Sequence, residues 1–322
     1  MKKTLDANKL KLIAIIAMTL DHIAWLLFPG YSDGALPVVM HIIGRLTCPI
    51  MCYFIAEGYY HTRNIRKYTF RLFLFAVISH FAYIFASNDF VDARSFIPFY
   101  FGSILNQTSV MWPLAWGLVM LRVANSERFT QLQKTLLVIL ICLVSFPSDW
   151  SCIASLCVLA FGTNRGDLKA QGRWMLFFVA IYAVVYFFAL DKLYGILQLA
   201  VALSLLARYN GQRGKNARVN KFLKWFFYLY YPLHLTILGA INEFERANML
   251  ERQREGVAIA KREGKYKGRK KTVIDDVAGA YHDWVTRHKS KATIARENGI
   301  SRPTLDRLLK EYEREVVAKT DN

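Results

Sequence analysis

The stretch from Leu10 to Phe28, LKLIAIIAMTLDHIAWLLF, constrains the fold more than any other part of the sequence. A helix needs about 20 apolar residues at 1.5 Å each to cross the hydrocarbon of a bilayer. Lys2, Lys3, Lys9 and Lys11 stand on its N-terminal side, and Pro29-Gly30 closes it. No small-residue cleavage site follows and similar runs recur, so the segment reads as a span rather than a signal peptide. Inside it sits Asp21-His22. An ionisable side chain within a span is costly and needs a reason to be there. It serves either as polar glue between helices or as a reaction site inside a bundle.

Further apolar runs follow through residue 243, and none long enough to span lies beyond. That division explains why a chain with 54% apolar residues still carries a net charge of +18. Up to residue 243 there are 23 Lys and Arg against 11 Asp and Glu; the tail has 19 against 13. All five cysteines (Cys48, Cys52, Cys142, Cys152, Cys157) fall in apolar runs. They read as small buried hydrophobes, with no metal site and no disulfide framework.

The second run, Pro37 to Tyr60, holds Arg45, Pro49 and Glu57; a third, Tyr68 to Ala86, holds His80. A mixed stretch over 87–107 separates these from runs at 107–121, 135–147, 151–162, 174–190, 191–208 and 222–242. The pattern predicts about nine spans. Basic residues gather at the N-terminus and in 61–71, 122–134, 165–173 and 208–224, which are alternate loops. The positive-inside rule therefore puts the N-terminus in the cytoplasm. At 1.5 Å per residue Asp21 lies roughly 16 Å up the first helix, and Arg45 about 12 Å down the second. The two fall at similar height, which predicts an ion pair between them. His22 points about 100° away from Asp21 on the helix wheel. His80 and His234 reach about 20 Å on the same scale.

Glu57, His61 and Asn64 follow the i, i+4, i+7 spacing of one helix face, with Arg63, Arg66 and Lys67 beside them. They read either as charge snorkelling at the membrane surface or as a docking site for an anionic cytoplasmic donor, such as a nucleotide-bearing thioester.

The pieces IAMTLDHIAWLLFP, IGRLTCPIMCYFIAEGYYHTRN with KYTFRLFLFAVIS, LARYNGQRG and FFYLYYPLHLTIL, in that order, resemble the TraX proteins over most of 8–240. The resemblance implies a multi-span inner-membrane protein associated with N-terminal acetylation of conjugative pilin. It further implies acetyl-CoA as donor, used as in membrane acyltransferases. His22, Arg45, Glu57, His61 and His234 lie inside the matching pieces. The segment FPSDWSCIASLCVLAFG departs from the family's more polar, tyrosine-containing turn, which puts Asp149 and Trp150 in doubt as site residues. Acyl transfer needs a base for the acceptor proton and a positive group facing the developing oxyanion. The expected base is His22, with Asp21 beside it held by Arg45. His234 is the second candidate, or interhelical glue. The expected donor-binding residues are Glu57, His61, Arg63 and Asn64.

The tail differs in kind. FERANMLERQREGVAIAKREGKYKGRKKT followed by SKATIARENGISRPTLDRLLKEY resembles the C-terminal end of resolvase- and invertase-type serine recombinases, over about 244–316. The residues themselves predict a polar helix over 244–263, a basic arm, a helix over about 274–287, another over Lys291–Glu297, a turn at Asn298-Gly299 and a third helix. Ser301 is suited to cap that helix and Pro303 to its first turn. This is a helix-turn-helix whose last helix enters the major groove. Ser301, Arg302, Thr304 and Arg307 are the expected base or phosphate contacts, with Arg269 and Lys270 in the minor groove. The catalytic domain of such recombinases is replaced by membrane helices, so strand exchange is not expected.

The reading is all-α: a polytopic membrane helix bundle of about nine spans over 1–242, a linking helix and basic arm over 243–271, and a helix-turn-helix domain over 272–322. Its expected partners are membrane lipid, an acceptor such as pilin, and DNA if the tail is cytoplasmic. The favoured function is a TraX-like acetyltransferase joined near Asn242 to a recombinase remnant. The alternatives are a membrane-tethered DNA-binding protein and a small-molecule transporter. An odd number of spans puts the tail outside; merging the fifth and sixth runs into one span would return it to the cytoplasm.

Overall fold

The computed structural model describes residues 3–30, 32–87, 108–189, 191–197, 203–265 and 272–320. The chain divides into two compact units, Met1–Asn248 and Met249–Asn322. Every named element is an α-helix. The mixed stretch expected over 87–107 lies almost wholly outside the described residues, as do Arg269 and Lys270.

In the first unit, polar residues placed just before the apolar runs start the helices. Asp6 accepts the Lys9 N–H at 2.9 Å and opens α1 (Ala7–Leu27). The second run is broken where it was expected to be continuous. It forms α2 (Ala35–Gly44) and α3 (Thr47–His61), with Arg45 and Leu46 at the break. Pro49 has no N–H to give the Arg45 carbonyl, so the helical ladder is interrupted there. Asn64 accepts the Lys67 N–H at 2.9 Å at the start of α4 (Ile65–Ser87). After α5 (Met111–Ala124), a Thr130–Gln133 capping box opens α6 (Gln131–Ser145). The short α7 (Ser151–Thr163) and the long α8 (Leu168–Ala189) follow.

The run expected over 191–208 shows α9 (Lys192–Leu197) and α10 (Leu203–Leu206), with 198–202 outside the described residues. The last helix, α11, is Ala217–Arg262 and contains Pro232. Among the described residues, four stretches are long and apolar enough to cross a membrane: α1, α2 with α3, α4 and α8. The 13–15-residue helices α5, α6 and α7 are shorter.

The basic loops share one end of this unit. Leu5 exchanges backbone hydrogen bonds with Arg208 and Asn210 at 3.0 and 2.9 Å. There Asn8 meets Asn220 and Tyr60 donates to the Gly162 carbonyl. At the other end Tyr194 donates to the Ser32 carbonyl, and the Asp149 N–H to the Thr108 carbonyl. Asn242 donates to the Ala86 carbonyl at that far end. Helices α1, α4, α6, α8 and α11 thus lead away from the basic end, while α2–α3, α5, α7 and α9–α10 return among the described residues. The fifth and sixth runs are two antiparallel helices, α6 and α7, not one.

Leu132, Leu136, Leu140 and Leu143 of α6 and Phe177 and Phe188 of α8 face outward, as a lipid-facing surface requires. Inward, small residues let helices close up. A side chain at Gly44 would collide with the Asp21 carboxylate on α1, and one at Gly117 with Val158 on α7.

The second unit is built on α12 (Val277–Val285), α13 (Lys291–Glu297) and α14 (Arg302–Thr320). Ile274, Ile294, Leu305 and Leu309 form its core, with Tyr281 and Trp284 packed against it. Asp276 and Ser290 cap α12 and α13. The turn between α13 and α14 passes through Gly299 at φ +63°, where glycine carries no Cβ penalty.

Gly44→Val is expected to destabilise the first unit by roughly 1–3 kcal/mol, because the Asp21 side chain cannot yield without losing its partner. The apparent melting midpoint in detergent should fall by several degrees. Gly256→Ala, where an added Cβ meets nothing within 4 Å, should leave it unchanged or raised.

Candidate functional site

A cavity of about 70 Å³ lies between α1, the α2–α3 break, α5 and α11. Asp21, His22, Arg45, Asp149, Trp150 and Tyr230 are among its polar and aromatic lining residues. The Pro49 break thus sets Arg45 at the cavity rather than within a regular helix.

Asp21 finds a partner that the sequence did not single out. Its Oδ1 accepts from His41 Nδ1 at 2.8 Å, and His41 is wholly buried. This corrects the expected Asp21–Arg45 ion pair. The two charges feel each other, but no Asp21–Arg45 contact falls within 4.0 Å among the ion pairs of the described residues. Arg45 lies 5.8 Å from the centre of the Trp150 ring and within electrostatic reach of Asp149, Tyr182 and Tyr186. His41 is one helical turn before Arg45, a spacing that could have revealed it. Asp149 and Trp150, in doubt as site residues on the sequence, line the cavity. The turn that brings them there holds Trp150 at φ 62° and Ser151 at φ 48°, a left-handed conformation uncommon outside glycine.

His22 and His234 come together as a hydrogen-bonded pair, His22 Nδ1 to His234 Nε2 at 2.7 Å. His234 Nδ1 lies 2.9 Å from the Tyr230 carbonyl. A carbonyl can only accept, so His234 Nδ1 carries a proton and, in the neutral ring, Nε2 carries a lone pair. That lone pair must accept from His22 Nδ1–H, which leaves the lone pair of neutral His22 on Nε2. A backbone carbonyl thereby fixes two tautomers in series. The Tyr230 hydroxyl is tied as well. Thr19 Oγ1 donates to the Ile15 carbonyl, so at 2.6 Å it accepts from Tyr230. His80 is elsewhere, 3.0 Å from Thr108 Oγ1.

At the basic end, Glu57 and His61 meet Arg165, another residue the sequence reading missed. Arg165 Nε and Nη2 donate to the two Glu57 oxygens at 2.9 and 3.2 Å, and His61 Nε2 lies 3.2 Å from Glu57. The Arg165 guanidinium also stacks 4.7 Å from the Tyr60 ring. Hydrogen bonding to Glu57 pushes the Arg165 pKa above the ordinary arginine value, so it stays charged. Asn64 spends its side chain capping α4, and Arg63 is exposed.

In the second unit Arg302 and Arg307 line an open groove with Asp306, Lys310, Glu311 and Arg314. Ser301 caps α14 by accepting the Thr304 N–H, and its hydroxyl lies 2.8 Å from that of Thr304. Lys291 pairs with Asp306 at 2.8 Å.

The first unit is a polytopic helical membrane protein with a polar site buried between its helices, and the second is a helix-turn-helix. Residues 6–242 match the family model described as TraX protein, and the chain belongs to the TraX family. It is 32% identical over 262 residues to the probable fimbrial assembly protein FimC, serogroup H1, of Dichelobacter nodosus, covering 76% of this chain and 99% of that protein. It is also 49% identical over 78 residues to the transposon Tn1721 resolvase of Escherichia coli and 47% to the transposon Tn501 resolvase of Pseudomonas aeruginosa. Those matches lie in the C-terminal region and cover 24% of this chain. The chain spans less than half of either resolvase, 42% in both cases. No solved structure matches the chain.

The Glu57–Arg165 pair is partly exposed, so its coupling should be modest. A double-mutant cycle with Glu57→Gln and Arg165→Gln, read from thermal midpoints in detergent, is expected to give about 0.5–1 kcal/mol, weakening with added salt.

Proposed function

We propose that the first unit is a membrane acyltransferase that moves an acetyl group from cytoplasmic acetyl-CoA to an amine such as the N-terminus of pilin. The observation that carries this reading is His22 at the cavity, its Nδ1 proton committed to His234 and its Nε2 lone pair left to act as a base. As the neutral acceptor nitrogen attacks the thioester carbonyl, His22 Nε2 takes its proton. Arg45 faces the oxyanion that develops on the carbonyl oxygen. The C–S bond then breaks, and the coenzyme A thiolate leaves and takes up the proton from His22. In this scheme Asp21 supplies the counter-charge for Arg45 and is held by His41. Glu57, His61, Arg63 and Asn64 lie towards the donor side. The family and the fimbrial-assembly relative support pilin as the class of acceptor.

The expected outcome for His22→Ala is a loss of about 10²–10⁴-fold in acetyl transfer, the usual contribution of a positioned base. His234→Ala should lose less, since it removes the partner that orients His22 rather than the base. Transfer of labelled acetyl from acetyl-CoA to a pilin N-terminal peptide measures both. Undiminished transfer by His22→Ala would remove His22 from the mechanism, and no transfer by the intact protein would favour a transporter.

The second reading, a membrane-tethered DNA-binding protein, draws on the helix-turn-helix and its resolvase relatives, with Arg302, Arg307, Ser301, Thr304, Arg269 and Lys270 as contacts. The path of α11 weighs against it. The last crossing of the first unit reaches Asn242 at the end opposite the basic loops, which we place in the cytoplasm of a bacterial inner membrane. Parallel reporters fused after Asn322, one active only inside and one only outside, are expected to report an outside tail. An inside tail would make DNA binding, with its strong salt dependence, the activity to pursue.

A further inference from the structure

Four cations gather at the basic end of the first unit, and none of them is paired with a carboxylate among the described residues. Lys11 of α1 has Arg213 as its charged neighbour. Lys224 of α11 lies within electrostatic reach of Arg71 of α4 and of Arg213. None of the four belongs to an ion pair among the described residues, although such pairs are found for Arg165 and for several tail residues. Basic side chains collect at the cytoplasmic end of many membrane proteins, where they normally snorkel into water. Two of these do not. Lys11 Nζ is held between the rings of Phe54 and Phe227, at 5.2 and 5.1 Å. Arg71 hydrogen-bonds Tyr228, yet its Nε–H is buried with no acceptor. A buried guanidinium N–H without an acceptor is costly, and like charges held together add to that cost. A ligand with several anionic oxygens would relieve both.

We propose that Lys11, Arg71, Arg213 and Lys224 form a binding site for a phosphate-bearing anion. The Arg71 fork supplies directional donors, and the lysines supply compact point charge. The site adjoins the cavity, since Phe227, which flanks Lys11, also lines it. Ala14 and Ile15, one turn beyond Lys11, line it as well. Tyr209 lies within electrostatic reach of both Arg213 and the Glu57–Arg165 pair, so the cluster and that pair flank one region. The Glu57 carboxylate is already paired with Arg165, and Asp6, which also reaches Tyr209, caps α1, so among the described residues neither is in an ion pair with the four cations. Two sources share this chemistry: the phosphates of coenzyme A and the phosphodiester of an anionic lipid. Assignment to coenzyme A rests on the acyl-transfer reading, whereas the site itself does not.

The test uses the full chain in nanodiscs of zwitterionic lipid, with labelled coenzyme A as probe and pyrophosphate as competitor. Arg71→Gln and the exposed Lys224→Gln are compared with the unaltered chain, and elution profile and melting midpoint establish that both fold. The expected result is coenzyme A binding that pyrophosphate displaces and that each variant weakens at least tenfold. Arg71→Lys should recover only part of the loss, since it lacks the fork. If coenzyme A does not bind but phosphatidylglycerol nanodiscs raise the melting midpoint of the unaltered chain and not of the variants, the site stands with lipid as its ligand and the donor reading falls. Equal coenzyme A affinity in all variants would overturn the site and leave the donor reading standing. Binding of neither ligand would overturn the site.

Discussion

Arg45 sits partway through an apolar run, and much of the first unit can be read as the means of keeping its charge there. The proline four residues on breaks the helix at Arg45, so the side chain leaves from an irregular turn rather than from a packed helical face. Asp21 brings negative charge within reach but gives its hydrogen bond to His41. Trp150 and Asp149 also reach Arg45, on a turn with two consecutive left-handed non-glycine residues. Such backbone costs about 1–3 kcal/mol per residue and persists only where its surroundings over-determine it. Gly44 is the geometric condition for all of this, because any side chain there would displace the Asp21 carboxylate.

Two hydrogen-bonded pairs are kept separate in this arrangement. The Asp21–His41 pair is a charge-holding device, buried among Trp25 and Tyr194 rings. The His22–His234 pair is a proton-orienting one, with its direction fixed by the Tyr230 carbonyl. Adjacent residues on α1 thus serve different networks, as the 100° between consecutive side chains on a helix allows. A carboxylate on His22 itself would make that ring a stronger base and hold it protonated more of the time. A second neutral imidazole orients it without that effect, which suits the role proposed for His22.

Some of this was legible in the residues and some was not, for physical reasons. Alternating basic loops identified which helices lead out and which return, because surface charge responds to the membrane and not to packing. The helix-turn-helix was legible almost to the residue, since Ser290, Ser301 and Gly299 act locally and their effect does not depend on distant contacts. Depth along a helix could be counted, and it brought His22 and His234 to nearby levels. Rotation could not, and so His41 was missed as the partner of Asp21. Asp149 and Trp150 were in doubt because their segment departs from the family's turn, and no local rule predicts the left-handed tryptophan that brings them to the cavity. Arg165 was missed because it meets Glu57 only through the packing of α3 against α7.

The junction with the tail follows from the same separation of local and tertiary effects. The cores of the two units share no residue, and each helix start in the tail is capped from within the tail itself. A helix-turn-helix of this kind needs nothing from a recombinase catalytic domain to bury Ile294, Leu305 and Leu309. A membrane bundle whose last helix has crossed likewise needs nothing from the sequence that follows. The join falls within α11, whose apolar residues give way to alternating Glu and Arg after Asn242. Such a sequence keeps its backbone hydrogen bonds satisfied within the helix, so two unrelated modules can be connected there without either losing a contact. The DNA contacts proposed for Arg302 and Arg307 depend not on folding but on which compartment the end of that helix enters.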